Sequence, residues 1–224
     1  MMVELGRMKR QTIEELCKEN NEVLVRGAVD GTIGRVWVPQ LGNSSYCLIV
    51  VGDFAYLMGL PPKGEWALDL KTKIYQSAPR AYIYPQNGRW EDWLEEEFMG
   101  QTRLVSRYAL RKDEHHFDSG ILKQYIESVP KGIRIKRIDG RLYHQALKEE
   151  WSRDLCANFE DEKHFQEKGF GYVALKGREL VAGCSAYGAS EGMMEIEVDT
   201  RKDFRRQALG FANIDDGIRF IADD

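Results

Sequence analysis

The stretch MEIEVDTRKDFRRQALG, residues 194–210, packs residue types that do chemistry into a short span. Its first seven residues alternate, so Met194, Ile196 and Val198 share one face of a strand while Glu195, Glu197 and Asp199 share the other. A carboxylate on such a face acts as a general base once burial and like-charged neighbours raise its pKa toward neutrality. A solvated strand face gives the same alternation. The turn that follows carries Arg201, Lys202, Arg205 and Arg206, then the small residues Ala208 and Gly210. Backbone N–H groups converging at a helix start, with cations close by and no bulky side chain, form a cradle for a phosphate. A basic surface turn before an ordinary helix is the other reading.

Other reactive side chains offer less. Cys17, Cys47, Cys156 and Cys184 are widely spaced with no C-x-x-C pair, which suits free thiols in a reducing compartment. Cys47 and Cys184 lie in apolar runs and read as core. His115 and His116 are adjacent, a poor spacing for chelation, and read as solvated loop residues; no metal site is expected. His144 and His164 fall on helices at the edge of the core, and Trp90 and Trp93 read as packing.

These residues need a scaffold, and 224 residues suffice for one large domain or two small ones. Pro130-Lys131-Gly132 marks the best boundary, giving domains 1–131 and 132–224. In the first, Thr12 and Glu15 suggest a capping box opening a helix over 12–19. Strands are expected at 34–39, 45–51, 54–59 and 81–84, followed by an amphipathic helix around Trp90, Trp93, Leu94 and Phe98 and a further helix over 117–129. The second domain opens on the alternating strand IRIKRID, residues 133–139. Helices are expected over 143–151 and 158–169, the latter capped by Asn158, then a hairpin about Lys176-Gly177 and the strand 194–200. The order β-α-α-β-β-β, closed by the basic turn, predicts an α+β fold.

From IRIKRID to RRQALG the chain resembles the Gcn5-related N-acetyltransferases (GNAT), in which the fourth strand and an R/Q-x-x-G-x-G/A turn form the acetyl-CoA site. The N-terminal part, with CLIVVGDFAYLMGLPP before TRLVSRYALRK and VPKGIRIKRIDGRLY, is similar to the bacterial two-part subgroup that includes antibiotic-resistance-type acetyltransferases. The resemblance implies a GNAT-like mixed sheet flanked by helices, preceded by a degenerate GNAT-like half that shapes the acceptor site. It implies that the backbone of Val198 and Thr200 pairs with the pantetheine arm. The amides of Arg206, Gln207, Ala208, Leu209 and Gly210 would cradle the diphosphate, with Arg205 at its edge. Glu195 and Glu197 would lie nearest the acceptor, as catalytic bases. The implied reaction uses acetyl-CoA as co-substrate and moves its acetyl group to a primary amine of a small molecule by direct attack.

Two departures stand out. Ala208 occupies a position where the family usually has glycine. After Gly210 only FANIDDGIRFIADD follows, with no counterpart of the family's fifth strand or its tyrosine acid, so the C-terminal domain is expected to be incomplete. A CoA-type binder without turnover, a fold remnant, and an interaction module whose arginine turn meets an acidic protein are the alternative functions. The net charge of −4 argues against nucleic acid as a partner, and no apolar run is long enough for a membrane span. MMVELGRMKRQTIEEL has no secretory core, so a cytoplasmic location is expected. An open edge on the fourth strand would invite a homodimer.

Overall fold

Six consecutive apolar residues, YCLIVV, need cover on both faces if they are to form a strand. They become β3 (Tyr46–Val51), buried along its whole length. The computed structural model describes residues 1–42, 44–106, 129–190 and 192–207, together with Gly120, Gln124, Glu127 and Leu209. It divides into two units, Met1–Arg107 with Ser190–Met193, and Tyr108–Ala189 with Met194–Asp224.

The first unit runs β1 (Val3–Glu4), α1 (Glu14–Cys17), α2 (Val23–Val29), β2 (Arg35–Val38), β3, β4 (Phe54–Gly59), α3 (Glu65–Ser77), β5 (Tyr82–Pro85) and α4 (Gly88–Phe98). Its sheet is ordered β1-β2-β3-β4-β5, antiparallel except for the parallel pair β4/β5, whose crossover is α3. Ala67, Leu70 and Ile74 of α3 and Trp90, Trp93 and Phe98 of α4 pack with Leu48, Val50 and Leu57. Arg10, only 6% exposed, sits in a 3-10 turn (Arg7–Ile13). Its guanidinium donates to the carbonyls of Ile33 and Gly34, both at 2.9 Å, and to those of Leu5 and Ala28 at 3.4 Å. It thereby takes up a carbonyl at the C-terminal end of α2 and ties that end to the approach to β2.

The second unit runs β6 (Ile133–Arg137), α5 (Gly140–Ala146), α6 (Glu162–Lys168), β7 (Gly171–Lys176), β8 (Glu179–Ser190, all but its last residue) and β9 (Met193–Thr200, all but its first), in the sheet order β6-β7-β8-β9. Asp139 caps α5 by accepting from the Leu142 N–H, and Asp161 caps α6 by accepting from that of His164. At Gly183 the side chain of Leu155 closes on β8: a Cβ there would lie 2.5 Å from Leu155 Cδ1. Both units thus repeat one order, a strand, two helices and three strands.

The α+β class stands, and several elements differ from expectation. The Thr12 hydroxyl donates to the Lys9 carbonyl, so no capping box forms and α1 begins at Glu14. Asn158 caps nothing; its side-chain amide donates to the Tyr187 carbonyl, and the helix starts three residues later behind Asp161. The helix expected over 143–151 starts at Gly140 and ends at Ala146. Helices α2 and α3 fall in segments where none was expected. Six of the seven residues of α2 are buried, so it has no polar stripe to reveal a helical period, and exposed Trp66, Leu68 and Tyr75 blur the face of α3. The helix expected over 117–129 lies mostly outside the described residues, as do His115 and His116; Gly120, Gln124 and Glu127 are helical.

Replacing Arg10 by Met keeps the side-chain volume and strands buried carbonyls. The expected cost is about 3 kcal/mol, read as a lower urea midpoint at unchanged slope; an unchanged midpoint would show the bonds to be dispensable.

Candidate functional site

β9 is the terminal strand of its sheet among the described residues. Its alternation is as the sequence implies, but its apolar side is not covered: Met194 is 41% exposed, Ile196 44% and Val198 39%. Glu195 is exposed, while Glu197 and Asp199 are half-buried. Glu197 lies near enough to β8 to act on Cys184, whose thiol is pushed up to about 12, first by burial and then by that carboxylate. Asp199 accepts the Thr200 N–H at 2.7 Å at the last residue of the strand.

The segment after Thr200 is fastened to the sheet. The Arg201 N–H donates to the Val181 carbonyl at 2.9 Å, and a 3-10 turn (Lys202–Phe204) folds back. Phe204 and the helical residue Leu209 pack against Ala174, Val181 and Ala182. The Arg201 guanidinium forks onto Asp203 at 2.8 and 3.1 Å, reaches Glu179 at 3.2 Å and lies 4.8 Å from the Phe204 ring centroid. Arg201 therefore serves the turn itself, a role its place in a basic run conceals; the alternation of Arg201 and Asp203 beside Phe204 was the available signal.

With those anchors set, residues 205–207 are exposed, as are Lys202 and Asp203. Arg205 (φ −63°, ψ 157°) is followed by Arg206 at φ +64°, a backbone region that favours glycine. An arginine in the left-handed region costs roughly 1–2 kcal/mol, strain that persists only where the surroundings impose it. Arg205 donates its Nε–H to the Thr200 carbonyl at 3.0 Å and stands 4.0 Å from Asp199. Among the described residues, Lys202 and Arg206 have no hydrogen-bond or ion-pair partner. Gln207 is exposed and Leu209 buried, whereas Ala208 and Gly210 lie outside the described residues. The structure thus gathers an acidic edge strand, a strained basic turn and unpaired cations within one short span.

The first unit has a different arrangement at the matching place. Beyond the last β4/β5 ladder pair, Leu57 with Pro85, the gap between the strands is taken by Gln86. Its side chain accepts from the Gly59 N–H at 2.8 Å and donates to the Leu16 carbonyl at 3.0 Å, and the Trp90 indole donates to the Gly59 carbonyl at 2.9 Å. All four cysteines are free and buried. Among the described residues no cluster of His, Cys, Asp and Glu is arranged to hold a metal ion, and no helix is long and apolar enough to cross a membrane.

Comparison with known proteins agrees with this architecture. The GNAT acetyltransferase family matches residues 14–221, and the chain belongs to that family. A crystal structure of a GCN5-related N-acetyltransferase-like protein from Streptococcus suis 89/1591 is 32% identical with a TM-score of 0.79, covering 97% of this chain and 86% of that one. A tandem GNAT protein from the clavulanic acid biosynthesis pathway is 12% identical with a TM-score of 0.50, over 100% of this chain and 86% of its own, and shares the fold. The uncharacterized N-acetyltransferase YdfB of Bacillus subtilis (strain 168) is 22% identical over 153 residues, 66% of this chain. The chain spans 52% of the length of that relative.

The thiols of Cys156 and Cys184, raised from their ordinary 9.0 to about 12, stay protonated in the native protein at neutral pH. Neither should be alkylated by iodoacetamide at about pH 8 without denaturant. The unfolded chain loses these protons above 9.0 and the native one holds them to about 12, so stability falls as pH rises through that window. A urea midpoint that rises there, or rapid native alkylation, would contradict the burial.

Proposed function

We propose that the chain is an acetyl-CoA-dependent N-acetyltransferase that moves an acetyl group to a primary amine of a small molecule by direct attack. The observation that carries this reading is the left-handed Arg206 in a basic turn held against the sheet directly after an exposed edge strand. Strain at a site fastened on both sides is a mark of a functional constraint. The backbone of Val198 and Thr200 would meet the pantetheine arm. The amides of Arg206, Gln207, Ala208, Leu209 and Gly210 would meet the diphosphate, with Arg205, Arg206 and Lys202 supplying positive charge. Acetyl-CoA supplies the acyl group as a thioester.

Glu197, half-buried, and Glu195, more exposed, are the proposed bases. Each would take the proton from the attacking amine, whose nitrogen forms the new bond to the acetyl carbon as the C–S bond breaks. Burial of all four cysteines supports direct transfer over an acyl-cysteine intermediate, and free thiols fit a cytoplasmic setting. The first unit is proposed to be a degenerate copy that shapes the acceptor side. Its repeated element order, the filling of its β4/β5 gap by Gln86 and Trp90, and the shared fold with a tandem GNAT protein support that assignment.

Thiol release from acetyl-CoA across a panel of amines tests the reaction. Glu195→Gln and Glu197→Gln are expected to leave coenzyme binding intact, and replacing the true base should lower turnover by about 10²-fold or more. Unchanged turnover in both variants rejects the base assignment. Binding with no turnover of any amine makes the chain a CoA-type binder instead.

A further inference from the structure

The four-stranded sheet of the second unit ends in two open edges, β6 and β9, among the described residues. An open edge normally carries a device against pairing, such as lysines, proline, a bulge or a very short strand. β9 has neither lysine nor proline and is eight residues long, its charged residues are all acidic, and Met193, Met194, Ile196 and Val198 are 51%, 41%, 44% and 39% exposed. Apolar residues alternate there with Glu195, Glu197 and Asp199. Two copies of β9 could not pair with each other at ease, because carboxylates would face carboxylates across the ladder. The complementary strand is one with cations at alternate positions and apolar residues between them.

This chain carries such a strand. β6 reads IRIKR, with Ile133 and Ile135 half-buried and Arg134 and Lys136 exposed. Lys136 and Glu195 each have no hydrogen-bond or ion-pair partner among the described residues, and Arg134 donates only to the Gly177 carbonyl. Both strands have period two, so one register parity places Arg134 and Lys136 beside the acidic face and the isoleucines beside Met194, Ile196 and Val198. We propose that β9 of one copy pairs edge-to-edge with β6 of a second copy of this chain, forming a head-to-tail contact. The two patches differ, so each added copy presents a fresh β9 or β6, and association continues unless the rotation closes a ring. Addition of one short strand buries less than about 1,000 Å², the range of weak and reversible contacts, so assembly belongs to high protein concentration and low salt.

Val198 and Thr200 lie on the same edge, so assembly and coenzyme binding exclude one another; that clause alone rests on the function proposed above. Sedimentation velocity over about 10 µM to 1 mM protein tests the contact. Wild type should gain mass with concentration and lose it at high salt. Arg134→Glu/Lys136→Glu and Glu195→Lys/Glu197→Lys should each stay monomeric and associate when mixed, because reversing both sides restores the charge match. Ile196→Lys, a single exposed substitution, should also abolish association and guards against a misfolded double variant. A monomeric wild type at every concentration overturns the proposal. So does association of the β6 variant alone, which would mean that β9 pairs with itself, or failure of the mixed variants to associate while each is folded by circular dichroism. Assembly that persists in excess coenzyme A leaves the contact standing and counts against the acetyl-CoA reading only.

Discussion

The geometry of the basic turn depends on one anchoring contact, the packing of Phe204 and Leu209 under β7 and β8. Those two side chains cover Ala174, Val181 and Ala182, and the Arg201 N–H closes the chain onto Val181. Burying two large apolar side chains contributes several kcal/mol, on the order of 1.5–3 each, enough to offset a left-handed arginine at position 206. Arg201 adds to the same lock through Glu179, Asp203 and the Phe204 ring, and is consumed by it. The cations free to meet an anion are therefore those placed further out, Lys202 and Arg206. Without the anchor the four basic residues would be a mobile patch with no preferred anion.

The two units show what the same element order becomes under different constraints. In the first, the parallel pair β4/β5 closes over four ladder positions and Gln86 fills what is left of the gap, while Trp90 joins a cluster with Trp93 and Phe98. The Gln86 side chain and the Trp90 indole are both committed to the fold at that end. In the second, β9 has an open edge among the described residues, an apolar side in water and two half-buried acidic residues. Exposed apolar surface on an edge strand is costly to keep, and its persistence directs attention to that edge as the place where something binds.

How much of this was legible beforehand varies by element. YCLIVV, FAYLMG and IRIKR read as strands because they are short apolar runs bounded by turn residues or a strict alternation. α4 was equally plain, since its tryptophans and glutamates follow a helical period. α2 was hidden by its burial on nearly all sides, and the true cap Asp161 by a second plausible cap three residues earlier. In β9 the alternation told which residues share a face but not which face the fold covers, since that depends on what packs there. Arg201 read as one cation among four in the basic turn, since its partner Glu179 is distant in sequence and Asp203 lies inside the same run, and the left-handed Arg206 gave no sign because neither Gly nor Asn stands there.

The central claim is that the turn after β9 binds a diphosphate, and the most direct measurement separates that group from the rest of the coenzyme. Calorimetric titration with acetyl-CoA and with acetyl-pantetheine, which share the thioester arm and differ in the phosphates and nucleotide, should give affinities at least about tenfold apart, with the difference shrinking as salt is raised. Equal affinities for the two ligands, or a preference untouched by salt, would contradict the account.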